Sequence, residues 1–201
     1  MSTFEQVSQQ CSHLKLASLA QALPELLQQA DENEMSYLQF TEILLGHEVN
    51  QRNDKRIAMN RRKAGFPAEK SLEIFDYRHQ TTINKRQVNQ LLDFDFIDNR
   101  NNLIFIGPPG VGKTHLSIGI GSKAIDAGYK VLFTTALSLS ESLEIAELKG
   151  ELKKKINMLC KNDLVIIDEL GYLPMNKQGN HNLFQLINAL YEYRSIILTT
   201  N

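Results

Sequence analysis

The chain has 201 residues, 42% hydrophobic and 22% charged, with a net charge of −1. That composition excludes a disordered chain and suffices for one ordinary domain plus a smaller one. No apolar run approaches the roughly 20 residues that cross a bilayer, "MSTFEQVSQQCSHLKL" lacks the basic start and apolar core of a signal peptide, and Cys11 and Cys160 lack metal-ligand spacing. A soluble chain with two reduced thiols, in the cytoplasm, is expected.

Residues 1–50 carry one basic residue, Lys15, against seven acidic ones. Over 13–29, Leu14, Leu16, Leu19, Ala20, Leu23, Leu26 and Leu27 recur mostly at three- and four-residue steps, the pattern of an amphipathic helix. Pro24 is expected to break or kink it. Ser36 is placed to cap a second helix with Tyr37, Phe40, Ile43 and Leu44 on one face. That helix runs into "QRNDKRIAMNRRK" (51–63), where six basic residues face only Asp54, and stops near Gly65 and Pro67. Residues 1–64 therefore read as a helical N-terminal domain. Arg52, Lys55, Arg56, Arg61, Arg62 and Lys63 fit two roles. They are cations for DNA phosphates, or an ordinary solvated helix end whose charge suits the dipole.

Residues 65–100 read as a connector with a short helix near 84–92. From 101 to 201 the pattern changes to apolar runs separated by helical stretches: "LIFI" (103–106), "VLFTT" (131–135), "LVIID" (164–168) and "SIILTT" (195–200). Continuous apolarity suits strands buried on both faces, and alternation with helices gives an α/β, three-layer architecture with a parallel sheet. Gly119 and Gly121 each cost a helix about 1 kcal/mol relative to Ala, which implies close approach of that helix to the sheet. In "ELKGELKKKI" (147–156), Glu147 and Glu151 stand at helical distances from lysines, which predicts a solvated face. Arg194 reads as a solvated helix end. "GYLP" (171–174) reads as a structured turn, with Tyr172 either packing or meeting DNA or a neighbour.

One motif carries specific chemistry. Residues Gly107, Pro108, Pro109, Gly110, Val111, Gly112, Lys113 and Thr114 fit G-x-x-x-x-G-K-[ST] between an expected strand and an expected helix. Glycines let the backbone curl so that successive N–H groups face phosphate oxygens, and the helix adds its positive end. Lys113 then reaches the β- and γ-phosphates of ATP while the Thr114 hydroxyl ligates Mg²⁺. His115 follows inside the helix start, where packing suits it better than catalysis. The loop calls for an acidic residue at the end of another buried strand, and "LVIIDE" supplies two. Asp168 is expected to complete the Mg²⁺ shell, and Glu169 to activate water as a general base. Asn201, at the tip of the next strand, is placed to orient that water.

In this order, "GPPGVGKTHL", "LVIIDELGYLP" and "ILTTN" resemble the IstB-type helper ATPases of bacterial insertion sequences, which belong to the AAA+ class beside the DnaC helicase loaders and DnaA initiators. "LKLASLAQALPELLQQA", "MSYLQFTEILLGHE" and "RRKAGFPAEKSLEIFDY" are similar to that family's helical domain and connector, so the resemblance covers essentially the whole chain. It implies a P-loop ATPase that binds double-stranded DNA, assists a partner transposase and assembles into ATP-dependent oligomers. By the same analogy Lys113, Thr114, Asp168, Glu169 and Asn201 take the roles given above, and "IFDY" (74–77) begins the nucleotide-base pocket. Family members continue past the asparagine with a fifth strand, a helical lid and an arginine for the neighbouring ATP site. The resemblance therefore implies a core that lacks the C-terminal strand and lid, with weakened hydrolysis and impaired assembly. Two other functions fit the same residues: a DnaC-like replicative helicase loader acting in DNA replication, and a non-hydrolysing partner-binding module.

Overall fold

A computed structural model describes residues 2–79, 82–172, 177–191 and 193–201. The chain divides into two compact units, Met1–Ala58 and Met59–Asn201, slightly ahead of the boundary expected at 64/65. Residues 65–100 belong to the second unit, where Leu72, Val88, Phe96 and Ile97 are buried.

The first unit contains α1 (Thr3–His13), α2 (Ala17–Glu32) and most of α3 (Tyr37–Ala64). Helix α1 starts on a reciprocal capping box, in which the Glu5 N–H donates to Ser2 Oγ and the Ser2 N–H to Glu5 Oε2. Ser36 and Gln39 make the same arrangement ahead of α3. Helix α2 begins at Leu16, which cannot cap, and its Leu19 N–H donates instead to Glu48 Oε2 of α3 at 3.3 Å. A carboxylate there also suits the positive end of the helix. Pro24 does not break α2, which continues to Glu32. The expected interruption fails because proline removes only one hydrogen bond, the one to the Ala20 carbonyl, while Leu19 and Leu23 keep their buried face.

The second unit is built on β1 (Leu103–Ile106), β2 (Val131–Thr135), β3 (Leu164–Asp168) and β4 (Ser195–Thr200), the four runs expected. All pair in parallel, in the order β1-β4-β3-β2. Before them come α4 (Lys85–Leu91), capped by Asn84, and the short α5 (Asp95–Asp98). Between them run α6 (Lys113–Asp126), α7 (Ala136–Leu148), α8 (Leu152–Leu159) and α9 (Lys177–Leu190). Alternate residues of β3 serve opposite layers. Val165 and Ile167 pack with Leu143 of α7, Ile156 of α8 and Leu186 of α9, while Ile166 faces Gly121 of α6. The helices thus cover both faces of an α/β sheet.

Four expectations need correction. Strand β1 is not buried on both faces: Ile104 and Ile106 are 57% and 72% exposed, because β1 is an edge strand with one face open. A side chain on Gly119 would strike Leu72 rather than the sheet; only Gly121 lies against it, where an added Cβ would meet Ile166. Residues 147–156 do not form one helix, since Gly150, at φ +69°, separates α7 from α8. Glu151 pairs with Lys154, but Glu147 accepts from Gln178 Nε2 and Asn182 Nδ2 of α9. Arg194 is no solvated end, as its Nε donates to the Cys160 carbonyl at the C-terminus of α8. Of the "GYLP" turn, Leu170–Tyr172 forms a 3₁₀ turn, and 173–174 and the Tyr172 side chain lie outside the described residues. Among the described residues no helix is long and apolar enough to cross a membrane.

Candidate functional site

The loop between β1 and α6 needs its glycines at two points. Gly110 and Gly112 hold φ of +83° and +93°, where a Cβ is strained. Gly112 also has Phe75 against it, so a side chain there would collide with the ring as well. The Phe75 ring meets Tyr77 at 4.8 Å and His115 at 5.2 Å between centroids. His115 Nε2 lies 2.7 Å from the Ser71 carbonyl. His115 therefore packs and ties the 71–77 segment to α6. Burial pushes the Tyr77 phenol above its ordinary pKa, keeping it neutral.

Lys113 folds back over its own loop. Its ammonium donates to the Gly107 carbonyl at 2.6 Å, the Pro108 carbonyl at 2.9 Å and Asn201 Oδ1 at 3.1 Å. All three ammonium protons are thus taken by the protein. Beside it, Thr114 Oγ1 stands 3.0 Å from each oxygen of Asp168. Asp168 is 4% exposed and ends β3, the strand buried along its whole length. The Gly107 N–H donates to the Thr200 carbonyl at 3.3 Å, which fastens the start of the loop to β4. The parallel order β1-β4-β3 thereby brings the loop, Asp168 and Asn201 to one end of the sheet, the carboxyl end at which open α/β sheets bind ligands.

Glu169 is next in chain, exposed, and adopts φ +61°, a left-handed conformation costly for a residue with a Cβ. Thr199 of β4, which the sequence reading passed over, stabilises that turn. The residue is 1% exposed, and its hydroxyl donates to Asp168 Oδ1 and accepts the Glu169 N–H at 2.9 Å. One hydroxyl therefore sets both acidic residues. Its signal in the sequence is faint, a polar residue inside the apolar run "SIILTT".

A Thr hydroxyl facing a buried carboxylate is a hard-oxygen donor pair of the kind Mg²⁺ takes when substrate phosphates and water complete its shell, so these residues fit the ion. The basic stretch is less uniform. Arg52 Nε donates to Glu48 and its Nη2 to the Lys15 carbonyl, and Lys55 Nζ donates to Ser18 Oγ. Arg61 reaches Ser122 and Asp126 of α6 at 2.8 and 2.5 Å. Arg56, Arg62 and Lys63 are exposed, with no ion pair among the described residues.

The family model for the IstB-like ATP binding protein matches residues 9–201. The chain belongs to this family. It is 39% identical over 190 residues to the ATP-binding protein assigned to insertion sequence IS21 of Pseudomonas aeruginosa, covering 94% of this chain and 72% of that one. It is 37% identical over 197 residues to the corresponding protein of insertion sequence IS5376 of Geobacillus stearothermophilus, covering 98% and 78%. Among solved structures, that of a DNA replication initiation factor superposes with a TM-score of 0.58 at 26% identity, over 66% of this chain and 41% of that one. The fold is the P-loop α/β fold of the AAA+ class, and ATP binding is the family's property.

Proposed function

We propose that this protein is a DNA-associated AAA+ ATPase of the cytoplasm that assists a transposase in selecting target DNA. The observation that carries this reading is the convergence of three separate stretches: Lys113 contacts Asn201, and Thr114 contacts Asp168. The loop N–H groups and the Lys113 ammonium hold the phosphates of ATP, the lysine exchanging its carbonyl partners for phosphate oxygens. Thr114 and Asp168 hold Mg²⁺, which supplies positive charge against the phosphates. Glu169 takes the proton from the attacking water as its oxygen bonds to the γ-phosphorus and ADP leaves. Asn201 orients that water, and Thr199 holds Asp168 and the Glu169 backbone in place.

Arg56 and Arg62 supply phosphate contacts to duplex DNA, on which ATP-bound copies assemble. Kinship to proteins of insertion sequences supports the transposase as partner, ahead of a replicative helicase. The test is transposition of a marked element in cells that supply the transposase with this protein or its Glu169→Gln variant, beside gel-shift assembly on duplex DNA. The expected result is transposition that depends on the intact protein, and assembly that requires ATP. Transposition indifferent to the protein, or equal assembly without nucleotide, would overturn the reading.

A further inference from the structure

Strand β2 forms the sheet edge opposite β1. The middle of that edge is covered: a Cβ on Gly65 would stand 3.5 Å from the Phe133 carbonyl, and the Phe66 ring meets the Phe133 ring edge-on at 6.0 Å between centroids. Beside this cover lies a cavity of about 610 Å³, walled by the end of α3, by β2 and by α7 and α8. Its volume is that of a small-molecule site. Lys63, Lys130, Lys155 and Lys161 line it, and no acidic side chain does. Among the described residues none of these four ammonium groups is in an ion pair, although Lys155 is half-buried. Asn60 also lines the cavity, and its Nδ2 is buried with no acceptor. Leu132, Leu139 and Met158 supply an apolar floor, and Ser138 and Ser142 add hydroxyls.

Three demands follow for an occupant. It must bring several negative charges for the lysines, a flat or apolar part for the floor, and an acceptor for the buried Asn60 amide. We propose that this cavity binds a free nucleoside di- or triphosphate, at a second nucleotide site apart from the phosphate loop. Its phosphates meet the lysines, compact point charges that suit phosphate oxygens. Its base rests on Leu132, Leu139 and Met158, where a ring nitrogen or carbonyl accepts from Asn60, and its sugar hydroxyls meet Ser138 and Ser142. An inorganic anion would satisfy the lysines but leave the apolar floor in water. An aliphatic acid would cover the floor but leave the Asn60 amide unpaired. Duplex DNA keeps its bases stacked, so its phosphates reach the rim while no base enters the cavity. The phosphate loop follows β1 at the other edge of the sheet, so the two sites fill independently.

The probes are ADP, GDP and inorganic pyrophosphate, titrated calorimetrically into the full chain carrying Lys113→Ala, which disables the phosphate loop. Each nucleotide is expected to bind one site there, with salt-sensitive affinity at least about tenfold above that of pyrophosphate. Adding Lys155→Gln and Lys161→Gln is expected to weaken that site at least about tenfold. The same two changes with Lys113 intact are expected to leave ATP bound at the phosphate loop, which separates a lost site from a lost fold. Photolabelling of the wild-type chain with 8-azido-ADP is expected to mark the tryptic peptide 156–161, which carries Met158, as well as the phosphate loop. No nucleotide bound by Lys113→Ala at about 1 mM in low salt, equal affinity after the two lysine changes, or pyrophosphate bound as tightly as ADP and GDP would each overturn the proposal. Single-stranded oligonucleotide binding that the lysine changes remove, with no free nucleotide bound, would overturn it in favour of nucleic acid.

Discussion

Replacing Thr199 by valine removes one hydroxyl and almost no volume, and the structure sets the size of the effect. The residue is 1% exposed, and the hydroxyl serves two partners, the Asp168 carboxylate and the Glu169 N–H. The Glu169 N–H left without an acceptor costs about 1–3 kcal/mol, and Asp168, which keeps the Thr114 hydroxyl, loses one bond worth about 1 kcal/mol, so the two together cost about 2–4 kcal/mol. For a domain of this size that lowers Tm by about 4–16 °C. The catalytic consequence is separable. Glu169 relies on that bond to hold φ +61°, and a misplacement worth 1.4 kcal/mol in the transition state slows turnover about tenfold. Thr199→Val should therefore lose at least about tenfold in kcat, with ATP affinity little changed because Lys113 and its loop are untouched. Thr199→Ser keeps the hydroxyl and should recover most of the rate, losing mainly a buried methyl worth about 1 kcal/mol of stability. The assay is steady-state ATP hydrolysis at temperatures below each variant's Tm, with KM measured alongside. Wild-type kcat in Thr199→Val, or a serine variant as slow as the valine, would refute the positioning role.

Gly112→Ala should abolish binding of a fluorescent ATP analogue and lower Tm, because it forces a Cβ into φ +93° and onto Phe75, at a strain of about 1–2 kcal/mol before the ring moves. Glu48 is held below its ordinary carboxylate value of 4.5 by its hydrogen bond from Arg52, a shift that burial opposes. A depressed folded pKa contributes stability above pH 4.5 that disappears as pH falls through the folded value. Urea unfolding should accordingly show Glu48→Gln weaker than wild type at pH 7, with the gap closing as pH falls below 4.5 through the lowered value. Arg61 and Arg62 should part company. Arg61→Ala loses its bonds to Ser122 and Asp126 and lowers stability by about 1 kcal/mol without altering the salt dependence of DNA binding, whereas Arg62→Ala leaves Tm alone and lowers that slope by about one.

The four strands were legible because each is a short apolar run bounded by polar residues. The phosphate loop was legible because Gly110 and Gly112 satisfy a backbone demand that other residues meet only under strain. Asp168 and Asn201 were found as ends of strands, and the parallel order of the sheet brings those ends together. What escaped the sequence depends on partners distant along the chain. Helix α1 was not anticipated, since its apolar residues are sparse among Gln and Ser, and its start rests on a cap. The open face of β1 follows from strand order, which composition does not reveal. Thr199 resembles any β-branched strand residue until Asp168 and the Glu169 N–H stand beside it. Arg61 reads as one cation among six until Asp126 takes it.

The central claim is that the loop, the Asp168–Glu169 strand end and Asn201 form one hydrolytic ATP site. Its most direct test is ATP turnover by this chain, with and without duplex DNA, beside Lys113→Ala and Glu169→Gln. The expected result is turnover stimulated by DNA, ATP binding lost in Lys113→Ala, and binding kept but turnover lost in Glu169→Gln. ATP bound equally well by Lys113→Ala, or hydrolysed at the wild-type rate by Glu169→Gln, would contradict it.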